Sequence, residues 1–234
     1  MKYLVLNGSP KKNRSVTMLV ANEFIQGIKN KEPDAEIEII HLADCNIKPC
    51  RSCYACWSHL FEGECVMTRR KKDDMTWIME KYHAADKFIL VTPMHFFAIS
   101  SYLQKFLERT FGLIKAVYLP VGGKSEKDDA DLNDMSTRDI AVISTCKVYF
   151  DGVWDSIDAQ MSLISRRKYQ RIFSTQPLAM NPEDKEYVNH FFKYVHNAGA
   201  EFAETGKFTE ETKEGLETAI CAMSSQINTS NVGL

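Results

Sequence analysis

Five short apolar runs divide this 234-residue chain, and helical patterns fill the stretches between them. The runs are Tyr3 to Leu6, Glu36 to His41, Lys87 to Thr92, Asp139 to Thr145 and Tyr169 to Ser174. The helical patterns place apolar residues three and four apart, on one face of a helix. The first opens at Ser15 or Thr17, carries Met18, Leu19, Phe24, Ile25 and Ile28, and stops at Pro33. Further helices are expected over Met75–His83, Ser100–Gly112, Val153–Ser165, Glu183–Phe202 and Glu210–Ile227. Strands alternating with helices predict a parallel sheet covered on both faces. The expected fold is therefore α/β, a three-layer sandwich with a five-stranded parallel sheet in the order 2-1-3-4-5 and extra C-terminal helices. In that arrangement a ligand lies at the carboxyl ends of strands 1, 3 and 4. This points to residues 7–17, 92–99 and 144–150.

The first of these loops, Asn7-Gly8-Ser9-Pro10-Lys11-Lys12-Asn13-Arg14-Ser15-Val16-Thr17, follows a strand and precedes a helix. Backbone N–H groups and the positive end of the helix dipole attract phosphate there. Ser9, Ser15 and Thr17 add hydroxyls, and Lys11, Lys12 and Arg14 add charge. Neither Gly-x4-Gly-Lys-Ser/Thr nor Gly-x-Gly-x-x-Gly is present, so a monophosphate suits the loop better than a triphosphate or dinucleotide. A plain capped strand–turn–helix junction accounts for the same residues without a ligand. After the third run, Pro93-Met94-His95-Phe96-Phe97 offers flat apolar walls for a planar ring, although any of these aromatics also serves as core. Residues 118–138, with Gly122-Gly123 and the charged run Lys124 to Asp131, are expected to form a solvated loop.

Five of the seven cysteines fall between positions 45 and 65, in a segment expected to be a loop with a turn of helix. Cys50-x2-Cys53-x2-Cys56-x8-Cys65 brings four sulfurs close enough to hold a [4Fe–4S] cluster. A tetrahedral zinc or redox-active thiols, free or disulfide-linked, fit the same spacing. Cys45 is either a fifth participant or a buried cysteine at a strand end; Cys146 and Cys221 are expected to be structural, and Trp57 packs either in the core or over a ligand or partner.

The net charge of -2 argues against a broad nucleic-acid face. No apolar run approaches ~18 residues, so no transmembrane helix is expected. The N-terminus carries no signal-peptide pattern, which makes the cytoplasm the expected location. Residues 1–234 are expected to form one domain, with a cysteine-rich loop over 45–65 and a helical extension from about 180.

Leu6-Asn7-Gly8-Ser9-Pro10-Lys11 with Ser15-x-Thr17 resembles the flavodoxin-like NAD(P)H-dependent FMN reductases and the related iron–sulfur flavoproteins. So do Thr92 to Phe97, Pro49-Cys50-x2-Cys53-x2-Cys56-Trp57, Gly63-x-Cys65-Val66 and Asp73-Asp74-Met75. The resemblance covers roughly residues 1–110. It implies FMN, with Ser9, Lys11, Ser15 and Thr17 at the phosphate, Pro93, Met94, His95, Phe96 and Phe97 beside the ring, and Thr145 in the third cofactor-binding loop. It implies hydride transfer from NAD(P)H to the flavin, then delivery to a free flavin, a quinone, a nitro or azo compound, or a protein. The flavin supplies the chemistry, so no catalytic acid or base is named. Two alternatives stand beside this: an electron carrier using FMN and a [4Fe–4S] cluster on Cys50, Cys53, Cys56 and Cys65, and a cysteine-based redox sensor. The resemblance also implies a homodimer or higher homo-oligomer.

Overall fold

The computed structural model describes residues 1–58, 60–61, 63–114, 135–148, 150–175 and 185–217. Five strands form one sheet: β1 (Lys2–Asn7), β2 (Glu36–His41), β3 (Lys87–Pro93), β4 (Asp139–Cys146) and β5 (Tyr169–Thr175). All pairings are parallel and the order is β2-β1-β3-β4-β5, as the alternation of runs predicts. The helices are α1 (Val16–Lys31), α2 (Val66–Arg69), α3 (Met75–Ala84), α4 (Ser101–Arg109), α5 (Asp155–Ile164) and α6 (Lys185–Thr205). Residues 210–217 are also helical. The rest of the second C-terminal helix expected from the sequence, with Cys221, lies outside the described residues.

The period-two alternation of the strands divides the core into two layers. Tyr3, Val5, Ile89, Val91, Ala141 and Ile143 face one way, onto α1 and α6. Leu4, Leu6, Phe88, Leu90, Ile140 and Val142 face the other, onto α3, α4 and α5. The strand β2 forms one edge. Its Glu36 and Glu38 are exposed, and charge of that kind discourages edge-to-edge pairing.

The C-terminal helix α6 covers the sheet beside α1. The two backbones approach so closely that a Cβ on Gly27 would stand 2.0 Å from the carbonyl oxygen of His196. One on Gly199 would stand 2.0 Å from that of Phe24. Phe24 and Phe202 pack at 5.5 Å between ring centres. Buried Lys87 ties α6 to the sheet by donating to the carbonyls of Phe202 and Ala203, at 2.6 and 3.2 Å.

Some boundaries differ from those read in the sequence. The helix expected over Ser100–Gly112 ends at Arg109, and a separate 3₁₀ turn covers Phe111–Ile114. The cysteine segment contains the short helix α2 and a 3₁₀ turn at Ala55–Trp57. The end of the expected solvated loop is packed instead, as Met135 and Ser136 are buried in a 3₁₀ turn before β4. Gly122-Gly123 and the charged run fall outside the described residues.

Candidate functional site

At the carboxyl edge of the sheet the residues that follow β1 and β3 are hydrogen-bonded to the ends of the neighbouring strands. The amide of Gly8 donates to the carbonyl of Val91 at 2.8 Å, and that of Met94 donates to the carbonyl of Thr145 at 2.8 Å. The hydroxyls of Thr17 and Thr145 pair at 2.6 Å.

Within the first loop, Ser15 is the N-cap of α1. Its Oγ accepts from the amide of Met18 at 3.1 Å and donates to the carbonyl of Lys12 at 2.9 Å. Ser15 thus has no free hydrogen for a ligand unless the bond to Lys12 is exchanged. The pair of Thr17 and Thr145 differs. One hydroxyl donates to the other, which leaves one O–H of the pair available. Ser9 is buried and its Oγ accepts from the amide of Lys11 at 3.3 Å. Lys12 is engaged with Asp44. Lys11 and Arg14 are exposed and have no carboxylate partner among the described residues, so they are the loop's free charges. This arrangement can receive a phosphate through backbone N–H groups at the start of a sixteen-residue helix, supplemented by these two cations.

Asn7 was not singled out in the sequence. It is buried, its Oδ1 accepts from the amide of Ser9 at 2.8 Å, and its Nδ2 lies 2.9 Å from Nδ1 of His41. A lone polar residue closing an apolar run before a glycine is the signal that could have found it.

After β3, the backbones of His95 and Ala98 bond reciprocally at 2.9 and 3.1 Å. Phe96 and Phe97 form the centre of this two-residue turn, with φ of 50° and 61°. Such turns favour Asn-Gly, and each non-glycine residue in this region costs roughly 1–2 kcal/mol. The turn is braced by Ser156, whose hydroxyl donates to the carbonyl of Phe97. In this turn the ring of Phe96 stands out in solvent, 96% exposed, and that of Phe97 is half out. Phe97 also meets Phe150 at 5.9 Å. Phe150 belongs to the loop after β4, at the end of the stretch 144–150 to which the sequence points. Pro93 is buried, Met94 is half-buried, and His95 is exposed. Cys146 is buried at the end of β4, where burial pushes its thiol up to about 11.

The four candidate cysteines line one cleft of about 360 Å³, shared with Arg109, Phe111 and Gly112. All six described cysteines are free thiols. A Cβ on Gly112 would stand 2.0 Å from the carbonyl oxygen of Gly63 and 2.7 Å from Cβ of Cys56, so glycine is needed for this wall to close. Trp57 stacks on Phe111 at 4.7 Å. Burial pushes the Cys56 thiol up, and the Cys65 sulfur pushes it the same way. Among the described residues, no group of three or more His, Cys, Asp or Glu is placed around a single metal ion. Four cysteine thiols on one cleft are the donor set that a [4Fe–4S] cluster or a zinc ion takes. Arg109, which the sequence reading passed over, donates Nε–H to the Sγ of Cys65 at 3.3 Å. A neighbouring cleft of about 440 Å³ is lined by Lys48, Arg51, Arg70 and Lys72, a local positive charge that the net charge conceals.

Among the described residues, no helix is long and apolar enough to cross a membrane. The sequence model of the family described as NADPH-dependent FMN reductase matches residues 1–131. The chain is 34% identical over 112 residues to an iron–sulfur flavoprotein of Archaeoglobus fulgidus, covering 47% of this chain and 49% of that protein. It is 28% identical over 114 residues to the FMN-dependent NADH:quinone oxidoreductase 1 of Bacillus cereus, covering 46% and 53%. The chain thus spans about half the length of the curated relatives it matches. Its fold is similar to that of an FMN-dependent NADH-azoreductase from Bacillus anthracis solved with FMN. That match has a TM-score of 0.59 and 20% identity, and covers 87% of this chain and all of the other.

Proposed function

The chain belongs to the NADPH-dependent FMN reductase family, and from that premise we propose that it is an FMN-dependent NAD(P)H oxidoreductase. The observation that carries this reading is the bond between Thr17 at the start of α1 and Thr145 at the end of β4, on the carboxyl edge of the sheet where Phe96 and Phe97 are exposed. FMN, when bound, accepts hydride from a reduced nicotinamide and passes electrons to a second substrate.

In this reading the chain's own residues bind and orient. The amides after Ser15, with Lys11 and Arg14, receive the phosphate; Ser9 and Ser15 shape the loop by their hydrogen bonds. The remaining O–H of the Thr17 and Thr145 pair is a further donor for the ligand in this reading. Pro93, Met94 and His95 border the ring, and Phe96 and Phe97 present faces against which a flat ring stacks and from which water is displaced. The acceptor is a small molecule such as a free flavin, a quinone, or an azo or nitro compound, or else a protein. The names of the relatives include a quinone reductase and an azoreductase. The proposal treats residues 1–234 as one FMN-binding unit working in the cytoplasm as a homodimer or higher oligomer. The exposure of Phe96 favours a second copy or a substrate as its cover.

A second reading is favoured by a specific observation. Four cysteines on one cleft support an iron–sulfur flavoprotein, in which Cys50, Cys53, Cys56 and Cys65 hold a [4Fe–4S] cluster that supplies one-electron transfer. Steady-state oxidation of NADPH and NADH, with added FMN and with a quinone, tests the first reading. Turnover that depends on FMN supports it; no oxidation of either nicotinamide with any acceptor contradicts it. Iron and acid-labile sulfide assays on anaerobically purified protein test the second.

A further inference from the structure

The guanidinium of Arg109 has five N–H bonds, and each has an acceptor. Nη1 donates to the carbonyl of Lys48 at 3.0 Å and to Oδ2 of Asp73. Nη2 donates to Oγ1 of Thr68 at 3.0 Å and to Oδ1 of Asp73 at 3.3 Å. Nε donates to the Sγ of Cys65. The side chains of Arg109 and Asp73 are both fully buried.

An arginine buried this completely needs its charge matched and its donors filled. Asp73 matches the charge, and Lys48, Thr68 and Asp73 fill four donors. These four bonds fix the plane of the fork, and the plane fixes the direction of Nε. The remaining donor meets a cysteine sulfur of the cleft. If Arg109 served only to anchor the loop, the four bonds of its Nη atoms would suffice.

We propose that Arg109 is a positioning residue for the cysteine cleft: it aims Cys65 at the other three cysteines and gives its sulfur a hydrogen bond that raises the reduction potential of the cluster held there. This rests on the second reading above. A hydrogen bond to a ligating sulfur favours the more negatively charged, reduced form, and such bonds are among the levers that set cluster potentials. Asp73 cancels the charge of Arg109, so Cys65 meets a directed N–H and little net charge. Arg109 and Asp73 therefore have opposite effects. Loss of the Nε–H lowers the potential; loss of the Asp73 charge exposes the guanidinium charge and raises it.

The experiment uses the full chain, reconstituted without oxygen with ferrous iron and sulfide, in wild-type, Arg109→Lys and Asp73→Asn forms. Iron and sulfide are counted, and the midpoint potential is read by a redox titration followed by absorbance. A lysine keeps the charge but cannot span Asp73 and Cys65 together. In Arg109→Lys the ratio of reduced to oxidised cluster at a fixed potential is expected to fall about tenfold, a shift of about 59 mV for one electron. In Asp73→Asn the ratio is expected to rise. Loosening of the loop alone would not move the two variants in opposite directions. An unchanged potential in an iron-loaded Arg109→Lys overturns the proposal. If that variant does not fold or load, Asp73→Asn decides: a raised potential supports the role of Arg109, and an unchanged or lowered one overturns it. Wild-type protein that takes up no iron overturns the cluster reading, and the proposal with it, before any variant is compared.

Discussion

The hydroxyl oxygens of Thr17 and Thr145 lie 2.6 Å apart, though 128 residues separate them in the chain. One stands in the first turn of α1 and the other near the end of β4. Both are buried, so the bond ties the start of α1 directly to the end of β4. Removing one hydroxyl leaves the other buried with its partner gone, a cost of about 1–3 kcal/mol. Thr17→Val and Thr145→Val are each expected to destabilise by that amount, and the double variant by clearly less than their sum. Urea unfolding of the four proteins measures this; strict additivity would show that the two groups are not coupled.

The roles of Ser15 and of the nearby cations are separable. Ser15 caps α1 and its hydrogen is occupied, so Ser15→Ala is expected to lower stability by about 1 kcal/mol. Lys11 and Arg14 hold no carboxylate among the described residues. Replacing both by glutamine is expected to leave stability nearly unchanged and to weaken FMN binding severalfold, more at low salt than at high. Fluorescence titration with FMN at two ionic strengths distinguishes the two behaviours.

The contact between α1 and α6 should tolerate no added methyl group. Gly27→Ala or Gly199→Ala would drive a Cβ into a backbone carbonyl, and neither helix can yield without disturbing Phe24 and Phe202. The expected loss is about 1–3 kcal/mol, measured as a lower denaturant midpoint. Because both sites lie away from the ligand loops, FMN affinity in the folded variants should match wild type.

The acid limb of stability should depend on Asp158. Burial pushes this carboxyl up, but hydrogen bonds from Tyr169 and Arg171 outweigh that effect and leave it below its usual value. A carboxyl depressed on folding contributes stability above its unfolded pKa, near 4, and that contribution is lost as pH falls through the folded value. Asp158→Asn is expected to lower stability at pH 7, with a difference from wild type that shrinks below about pH 4. Thermal unfolding across that range is the check, and a constant difference would exclude this role.

The sheet order was legible in the sequence because parallel strands buried on both faces read as apolar runs, and the runs alternate with helical periods. The turn and helix start after β1 were legible for the same reason, since Gly8, Ser15 and the end of β1 are local signals. Thr17 was identified as a site residue, yet its bond to Thr145 was not foreseeable, because nothing in either segment specifies the pairing. The turn at Phe96 and Phe97 contradicts its own local preference: two aromatics occupy left-handed positions without a glycine, held there by Ser156 and Phe150 from elsewhere in the chain. Arg109 escaped notice because a single arginine at the end of an amphipathic helix reads as a solvated charge. Only the fold brings Asp73, Thr68 and Cys65 around it.

The central claim is that the edge formed by the loops after β1, β3 and β4 holds FMN. The most direct test is to titrate the purified, flavin-free chain with FMN and follow the quenching of flavin fluorescence, in the wild type and in a variant carrying Thr17→Val with Lys11→Gln and Arg14→Gln. Saturation near one FMN per chain, with affinity reduced by an order of magnitude or more in the folded variant, is the predicted result. A wild-type chain that takes up no FMN, or a variant that binds it as tightly as wild type, would contradict the account.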